Sequence, residues 1–106
     1  MATGTIKNMN VVSVVSTATT TTSYGNITFK KLSNGMKLIS FELSTFPSSA
    51  GTLTTNIPSG YAPLDEQYLL GISGSNGVRG ISFTGSSIVV YANGSQTGIY
   101  CHSLYV

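Results

Sequence analysis

The chain has few of the residue types on which most catalytic and metal sites depend. Its 106 residues include one cysteine, one histidine, three acidic side chains and no tryptophan. A single cysteine cannot form an internal disulfide, and one cysteine with one histidine falls short of the three or four ligands of a zinc site. The adjacent acids Asp65 and Glu66 lack the spacing of a calcium loop. We therefore expect no metal and no cofactor.

Catalytic pairs are also hard to assemble from this composition. A serine triad would need His102 with Asp65 or Glu66, and the sequence has no G-x-S-x-G turn. Cys101 and His102 are adjacent, so on a strand their side chains point to opposite faces, and Cys101 is expected to be a small buried apolar residue. A glycosidase needs a correctly spaced carboxyl pair, and Glu42 is the only other acid. We predict that the protein is not an enzyme.

Charge is scarce, at 8% of residues with a net charge of +2. Five scattered cations do not form the clustered basic surface that nucleic acid requires. No apolar run approaches the ~18 to 20 residues that span a bilayer, and the N-terminus lacks the order of a secretory signal. We expect neither nucleic acid nor membrane insertion. We expect either synthesis in a reducing cytoplasm or a fragment of a longer chain.

What the chain does have is typical of β-structure. Apolar residues make up 41% of it, and many are β-branched, which argues against both disorder and a helical bundle. The length predicts a single domain over residues 1–106. Turn signals at Gly, Asn and Ser recur at the spacing of a sandwich or barrel. The predicted strands are 10–23, 27–32, 36–44, 52–57, 68–73, 78–84, 86–92 and 99–105.

The clearest local signal is the hairpin around Asn34-Gly35, a pair that suits a tight turn. In the strand that follows, Ile39 and Phe41 alternate with Ser40 and Glu42, the pattern of a half-buried antiparallel strand. The Thr/Ser-rich stretch 16–23 suits an edge strand at least as well as a linker.

Residues 56–64, NIPSGYAPL, combine an extended segment, a proline, a glycine turn, an aromatic residue and a second proline. With the strand order from 27 to 106, they resemble the C-terminal receptor-binding heads of bacteriophage tail fibres and baseplate adhesins. The resemblance implies an all-β antiparallel sandwich or jelly-roll-like barrel of about seven or eight strands. It also implies a homotrimer in the virion tail, assembled in the bacterial host cytoplasm. Residues 1–23 are then an edge strand or the remnant of a stalk connection.

A head of this kind is expected to bind a saccharide on the host cell surface. Sugar sites use aromatic faces for stacking and amide, hydroxyl, arginine or carboxylate groups for hydrogen bonds. Tyr100 and His102 share one face of the last strand, and Tyr91 lies on the strand that we expect to pair with it. These tyrosines could instead serve packing or subunit contacts. The candidate patch comprises Tyr61, Asp65, Glu66, Arg79, Tyr91, Tyr100 and His102.

The leading hypothesis is a non-enzymatic head in which several subunits present weak sugar sites, so that multivalency supplies the avidity. The main alternative is a structural trimerisation or baseplate interaction module, in which the Val/Thr N-terminal strand and the Tyr-rich C-terminal strand join subunits. A third is a bacterial surface jelly-roll resembling tumour-necrosis-factor-like heads. The expected partners are host glycan, other copies of the chain, and tail or baseplate proteins.

Overall fold

The structure of the chain is a computed structural model that describes residues 11–74 and 77–106. These residues form eight strands and no helix. The prediction of an all-β fold with about seven or eight short strands is therefore confirmed. The strands are β1 (Val14–Thr22), β2 (Gly25–Leu32), β3 (Lys37–Leu43), β4 (Gly51–Thr54), β5 (Gln67–Ser73), β6 (Gly77–Phe83), β7 (Ile88–Val90) and β8 (Ile99–Tyr105).

All eight strands belong to one antiparallel sheet that curls into a nearly closed barrel. The spatial order is β1-β2-β3-β8-β5-β6-β7-β4, so the C-terminal strand lies in the interior of the sheet between β3 and β5. β8 pairs along its length with β3, and it meets β5 where Tyr100 lies opposite Ile72. The last strand therefore brings distant parts of the sequence onto a shared surface.

The β2–β3 hairpin forms as predicted, with a turn that differs in detail from a two-residue turn. The Gly35 N–H donates to the Leu32 carbonyl, and Gly35 alone in this turn has a positive φ, of 88°. A type I turn followed by a left-handed glycine is a common three-residue hairpin loop. The Asn34 side chain accepts a hydrogen bond from the Met36 N–H and holds the turn in place.

Alternate residues of the strands fill the interior of the barrel. Ile39, Phe41 and Leu43 are buried, whereas Glu42 between them is exposed, which confirms the predicted alternation. Cys101 is also buried and His102 exposed, as their adjacent positions on β8 require. The buried cluster consists of Ile27, Phe29, Ile39, Phe41, Leu43, Phe46, Leu53, Tyr61, Leu69, Ile81, Phe83, Ile88, Val90, Ile99, Cys101 and Tyr105.

β1 and β4 are the edges of the sheet, and side chains close the gap between them. The Thr20 hydroxyl of β1 donates to the carbonyl of Asn56, beyond β4, at 2.8 Å. The Ser16 hydroxyl lies 2.7 Å from the Tyr61 hydroxyl. Most of the Thr/Ser stretch lies in β1, at one edge of the sheet. The part of the predicted N-terminal element on residues 1–10 lies outside the described residues.

Two predicted strands are longer than the observed ones. Strand 52–57 ends at Thr54, because the Thr54 hydroxyl accepts the Asn56 N–H and turns the chain before Pro58 is reached. The assignment of strand termination to Pro58 was therefore wrong. The predicted strand 86–92 is reduced to β7, because Thr84 makes a turn through Ser87. The centre of the predicted 74–77 turn, residues 75 and 76, lies outside the described residues.

The NIPSGYAPL segment, which we call the plug, lies between the two sheet edges: it contacts β1 and places Tyr61 in the core. The Tyr61 N–H donates to the Pro58 carbonyl, and Gly60 between them has a φ of 88°. The turn directs the Tyr61 ring into the core, 6.0 Å from the Phe29 ring. The Tyr105 hydroxyl donates to the Tyr61 carbonyl and ties the plug to β8. The segment is therefore part of the architecture of the barrel.

Candidate functional site

A shallow polar depression lies on the outer face of β2, β3 and β8. It encloses about 490 Å³ and is open to solvent along one side. Because the inward face of these strands is filled by the core, the side chains of the depression all come from the alternate, outward positions. The residues that line it are Gly25, Asn26, Thr28, Lys30, Ser40, Glu42 and His102.

Strand register explains why these polar groups lie together. Asn26 on β2 is opposite Glu42 on β3, and Glu42 is opposite Tyr100 on β8. In the next outward row, Ser40 lies opposite His102. Two parallel rows of polar side chains thus run across three neighbouring strands, at the close lateral spacing of cross-strand pairs.

The depression presents many hydrogen-bonding groups at small net charge. It contains an amide, two hydroxyls, an imidazole, one cation from Lys30 and one anion from Glu42. The Ser40 Oγ lies 2.9 Å from the His102 Nδ1, which orients the ring and leaves its Nε2 for a ligand. Tyr100, partly exposed and next to Glu42, adds an aromatic face at the border of the depression. This combination is suited to a neutral, polyhydroxylated molecule.

Ser40 and His102 form a hydrogen-bonded pair, which raises the question of nucleophilic catalysis. A triad also needs an acid that orients the second ring nitrogen and a hole that stabilises an oxyanion. Glu66 is engaged elsewhere, since its carboxylate accepts from the Tyr68 hydroxyl at 2.7 Å and the Ser82 hydroxyl at 2.9 Å. The pair lies on an exposed sheet face and not in an enclosed pocket.

Among the residues predicted from sequence, Tyr100 and His102 lie on the outer face of β8 as expected. Tyr91 is also exposed, but the expected pairing of its strand with the last strand is wrong. β7 pairs with β6 and β4, because β3 and β5 occupy both sides of β8. The Tyr91 ring instead covers Gly80, where an added Cβ would come within 3.1 Å of it.

Arg79 lies in the interior and not on the outer surface. Its side chain is 1% exposed. Its guanidinium donates to the carbonyls of Tyr91, Pro47 and Ser49 at 2.8, 2.6 and 2.9 Å. Burial lowers the pKa of Arg79, although an arginine stays charged in proteins. We assign Arg79 a structural role, as the group that pins the loop before β4.

Tyr61 is likewise a core residue, with its hydroxyl bonded to Ser16. Asp65 and Glu66 are exposed in the connection before β5. The hydrogen bond from Tyr68, followed by that from Ser82, lowers the pKa of Glu66. These two acids lie outside the set of residues that lines the polar depression, so the structure separates them from His102, which does line it.

Sequence reasoning did not select Asn26, Thr28, Lys30, Ser40 or Glu42 as site residues. The signal available was the alternation in β3, which placed Ser40 and Glu42 on the solvent side, together with the hairpin, which placed β2 beside β3. The missing information was the pairing of β3 with β8, which brings Ser40 to His102 from 62 positions away.

Neither known protein families nor curated protein sequences show a match to this chain. Within residues 11–74 and 77–106, no group of three or more His, Cys, Asp or Glu side chains is arranged to hold a metal ion. The same part of the chain contains no helix long and apolar enough to cross a membrane.

Proposed function

We propose that the protein is a non-enzymatic receptor-binding head of a bacteriophage tail appendage, which recognises a saccharide on the host cell surface as a homotrimer. The observation that carries the saccharide part is the polar depression on β2, β3 and β8 with Tyr100 at its border. The tail appendage, the trimer and the virion location rest on the NIPSGYAPL resemblance.

The chemistry of the depression favours a neutral glycan over a charged ligand. One Lys30 ammonium and one Glu42 carboxylate line it, so the two charges balance within the same surface. Charged groups make hydrogen bonds to sugar hydroxyls that are about twice as strong as neutral ones. The Tyr100 ring offers an apolar surface for the C–H face of a sugar ring.

The depression is open, so a single site is expected to bind weakly. An open site buries less of its ligand than the enclosed clefts that hold small molecules tightly. Several copies on one appendage would convert weak sites into stable attachment, because each further contact becomes intramolecular. A trimeric head presents three such depressions.

A glycan array probed with the oligomeric protein tests this proposal. Glu42→Gln removes the charge without changing the shape of the side chain. We expect it to weaken binding of the selected glycan by about tenfold, because the neutral amide makes hydrogen bonds about half as strong as those of the carboxylate. Glu66→Gln makes the same chemical change outside the depression and should leave binding unchanged.

Tyr100→Ala supplies a second, independent variant, with Tyr91→Ala, just beyond the end of β7, as its matched control. Tyr100→Ala should weaken binding by about 2- to 10-fold through the loss of stacking, whereas Tyr91→Ala should not. Binding that survives both Glu42→Gln and Tyr100→Ala in a folded protein would refute the assigned site. If an intact oligomer binds no glycan at all, the result favours the alternative of a structural trimerisation or baseplate module.

A further inference from the structure

Between its polar end residues, Gln67 and Ser73, β5 is apolar on both of its faces. Its inward positions include the buried Leu69, whereas Tyr68, Leu70 and Ile72 point outward and are 71%, 74% and 58% exposed. Half-exposed antiparallel strands normally alternate apolar with polar residues, and a strand that is apolar throughout is typical of one covered on both sides. The barrel covers only the inner side of β5.

Neighbouring strands extend this exposed surface, which we call the apolar face. Ile72 lies opposite Val78 on β6 and opposite Tyr100 on β8. Leu70 lies opposite Gly80, the residue covered by the Tyr91 ring. The apolar face therefore crosses β5, β6 and β8 without interruption by charge. It consists of Tyr68, Leu70, Ile72, Val78, Tyr91 and Tyr100, together with Leu104 further along β8, beyond His102.

The size of the apolar face is that of a protein interface. The exposed fractions of its seven side chains correspond to roughly 800 Å² of accessible surface, about what each partner contributes to a standard stable complex. The largest apolar patch on a typical monomer covers only about 300–600 Å². Three of the seven residues are tyrosines, a residue type enriched in interface cores.

We infer that the apolar face binds a second copy of this chain. None of its seven residues is charged, so two copies can meet without like-charge repulsion. The area of the apolar face matches what each partner contributes to a stable complex, so contact between two copies is enough to account for it without another class of partner. The exposed Glu66 carboxylate, which accepts a hydrogen bond from the Tyr68 hydroxyl, lies at the border of this face and suits a hydrated rim.

This inference extends the proposed function, because it rests on the proposed assembly of copies and names the surface that joins them. The polar depression lies on β2, β3 and the adjoining face of β8, to one side of the apolar face. Contact through β5 and β6 therefore leaves Lys30 and Glu42 accessible at the periphery of the assembly. Tyr100 lies on the border between the two surfaces.

Light scattering coupled to size-exclusion chromatography tests the inference with Leu70→Glu. Leu70 is largely exposed, so the variant should keep the fold, which circular dichroism verifies. A carboxylate in the middle of an apolar contact should raise the dissociation constant between copies by about tenfold or more. The expected readout is an oligomer for the native chain and an 11.1 kDa species for the variant at the same concentration.

Leu64→Glu is the matched control, because Leu64 is 77% exposed but lies in the connection before β5. It should leave the oligomer intact. Val78→Glu, on β6, is a second variant that should also dissociate the oligomer. It replaces Leu70→Glu as the test if that variant fails to fold. Val15→Glu introduces the same charge on the exposed edge strand β1.

Three results would overturn the inference. They are a native chain that stays monomeric at all concentrations, dissociation by Val15→Glu but not by Leu70→Glu or Val78→Glu, and a monomer that binds neutral phosphatidylcholine vesicles through Leu70. Glycan binding is measured separately on the same variants. An oligomer that depends on Leu70 but binds no glycan would refute the saccharide proposal and retain this interface.

Discussion

Replacement of Arg79 by methionine is expected to destabilise the fold severely. The guanidinium joins β6 to the end of β7 and to the loop before β4 through its three carbonyl acceptors. Its Cζ also lies 5.0 Å from the centroid of the Phe46 ring. Methionine has an unbranched apolar side chain that can follow the path of the aliphatic part of arginine, but it cannot donate any of the three hydrogen bonds.

The magnitude follows from the groups left behind. A hydrogen bond to a charged group contributes about 1.5–3 kcal/mol, and a buried carbonyl without a partner costs about 1–3 kcal/mol. Removal of the buried charge offsets part of this loss of stability, because burial of the guanidinium is itself unfavourable. We therefore expect Arg79→Met to lower the free energy of unfolding by about 3–5 kcal/mol, a large share of the ~5–15 kcal/mol of a typical domain.

Urea-induced unfolding followed by circular dichroism measures this change. Arg79→Lys should lose an intermediate amount, because one ammonium cannot reproduce the planar fork that reaches three carbonyls. Lys30→Met, at an outward position on β2, is the control and should change stability by less than about 0.5 kcal/mol. A loss below about 1 kcal/mol for Arg79→Met would refute the structural role. So would a stably folded Arg79→Met protein that had lost glycan binding.

Two further predictions concern packing and pH. Gly71→Ala should destabilise the protein by about 1–3 kcal/mol, because its Cβ would lie 2.7 Å from Cγ1 of Ile99; Gly85→Ala, which meets no atom within 4 Å, should be neutral in the same denaturation assay. Burial raises the pKa of Tyr105 to about 12 from 10.0. The neutral Tyr105 hydroxyl therefore contributes about 2–3 kcal/mol to the free energy of unfolding. This contribution is complete below pH 10 and is lost as the pH rises to about 12. Tyr105→Phe should reduce this alkaline loss, whereas Tyr100→Phe should not; an unchanged alkaline profile in Tyr105→Phe would contradict the assignment.

Local patterns in the sequence were sufficient for the class of fold and for one well-defined hairpin. Asn34-Gly35 and the alternation that follows it depend on residues within a few positions of one another, so they can be evaluated without knowledge of the rest of the chain. The opposite orientations of Cys101 and His102 follow from the same two-residue period. Strand ends were less predictable, since the Thr54 side chain ends β4 through a local hydrogen bond that competes with the ladder.

The candidate site could be predicted only in part. Tyr100 and His102 were placed correctly on one face, but their neighbours were expected on the strand of Tyr91. Antiparallel pairing between distant strands depends on the packing of the whole barrel, and the adjacent strand in the sequence is not always the adjacent strand in space. Arg79 shows the same limitation, because a lone cation in a Gly-rich segment does not indicate that three carbonyls from distant segments will accept its hydrogen bonds in the interior.

The sequence by itself determined an all-β chain, the β2–β3 hairpin and the sides of β3 and β8 that face the core, because these depend on short-range periodicity and backbone preference. Only the tertiary structure decided that β8 lies between β3 and β5. That placement brings Ser40 and Glu42 to His102 and Tyr100, and it leaves the outer side of β5 uncovered. Both surfaces arise from long-range strand pairing, whose free energy is shared across the entire barrel and is not encoded in any single segment.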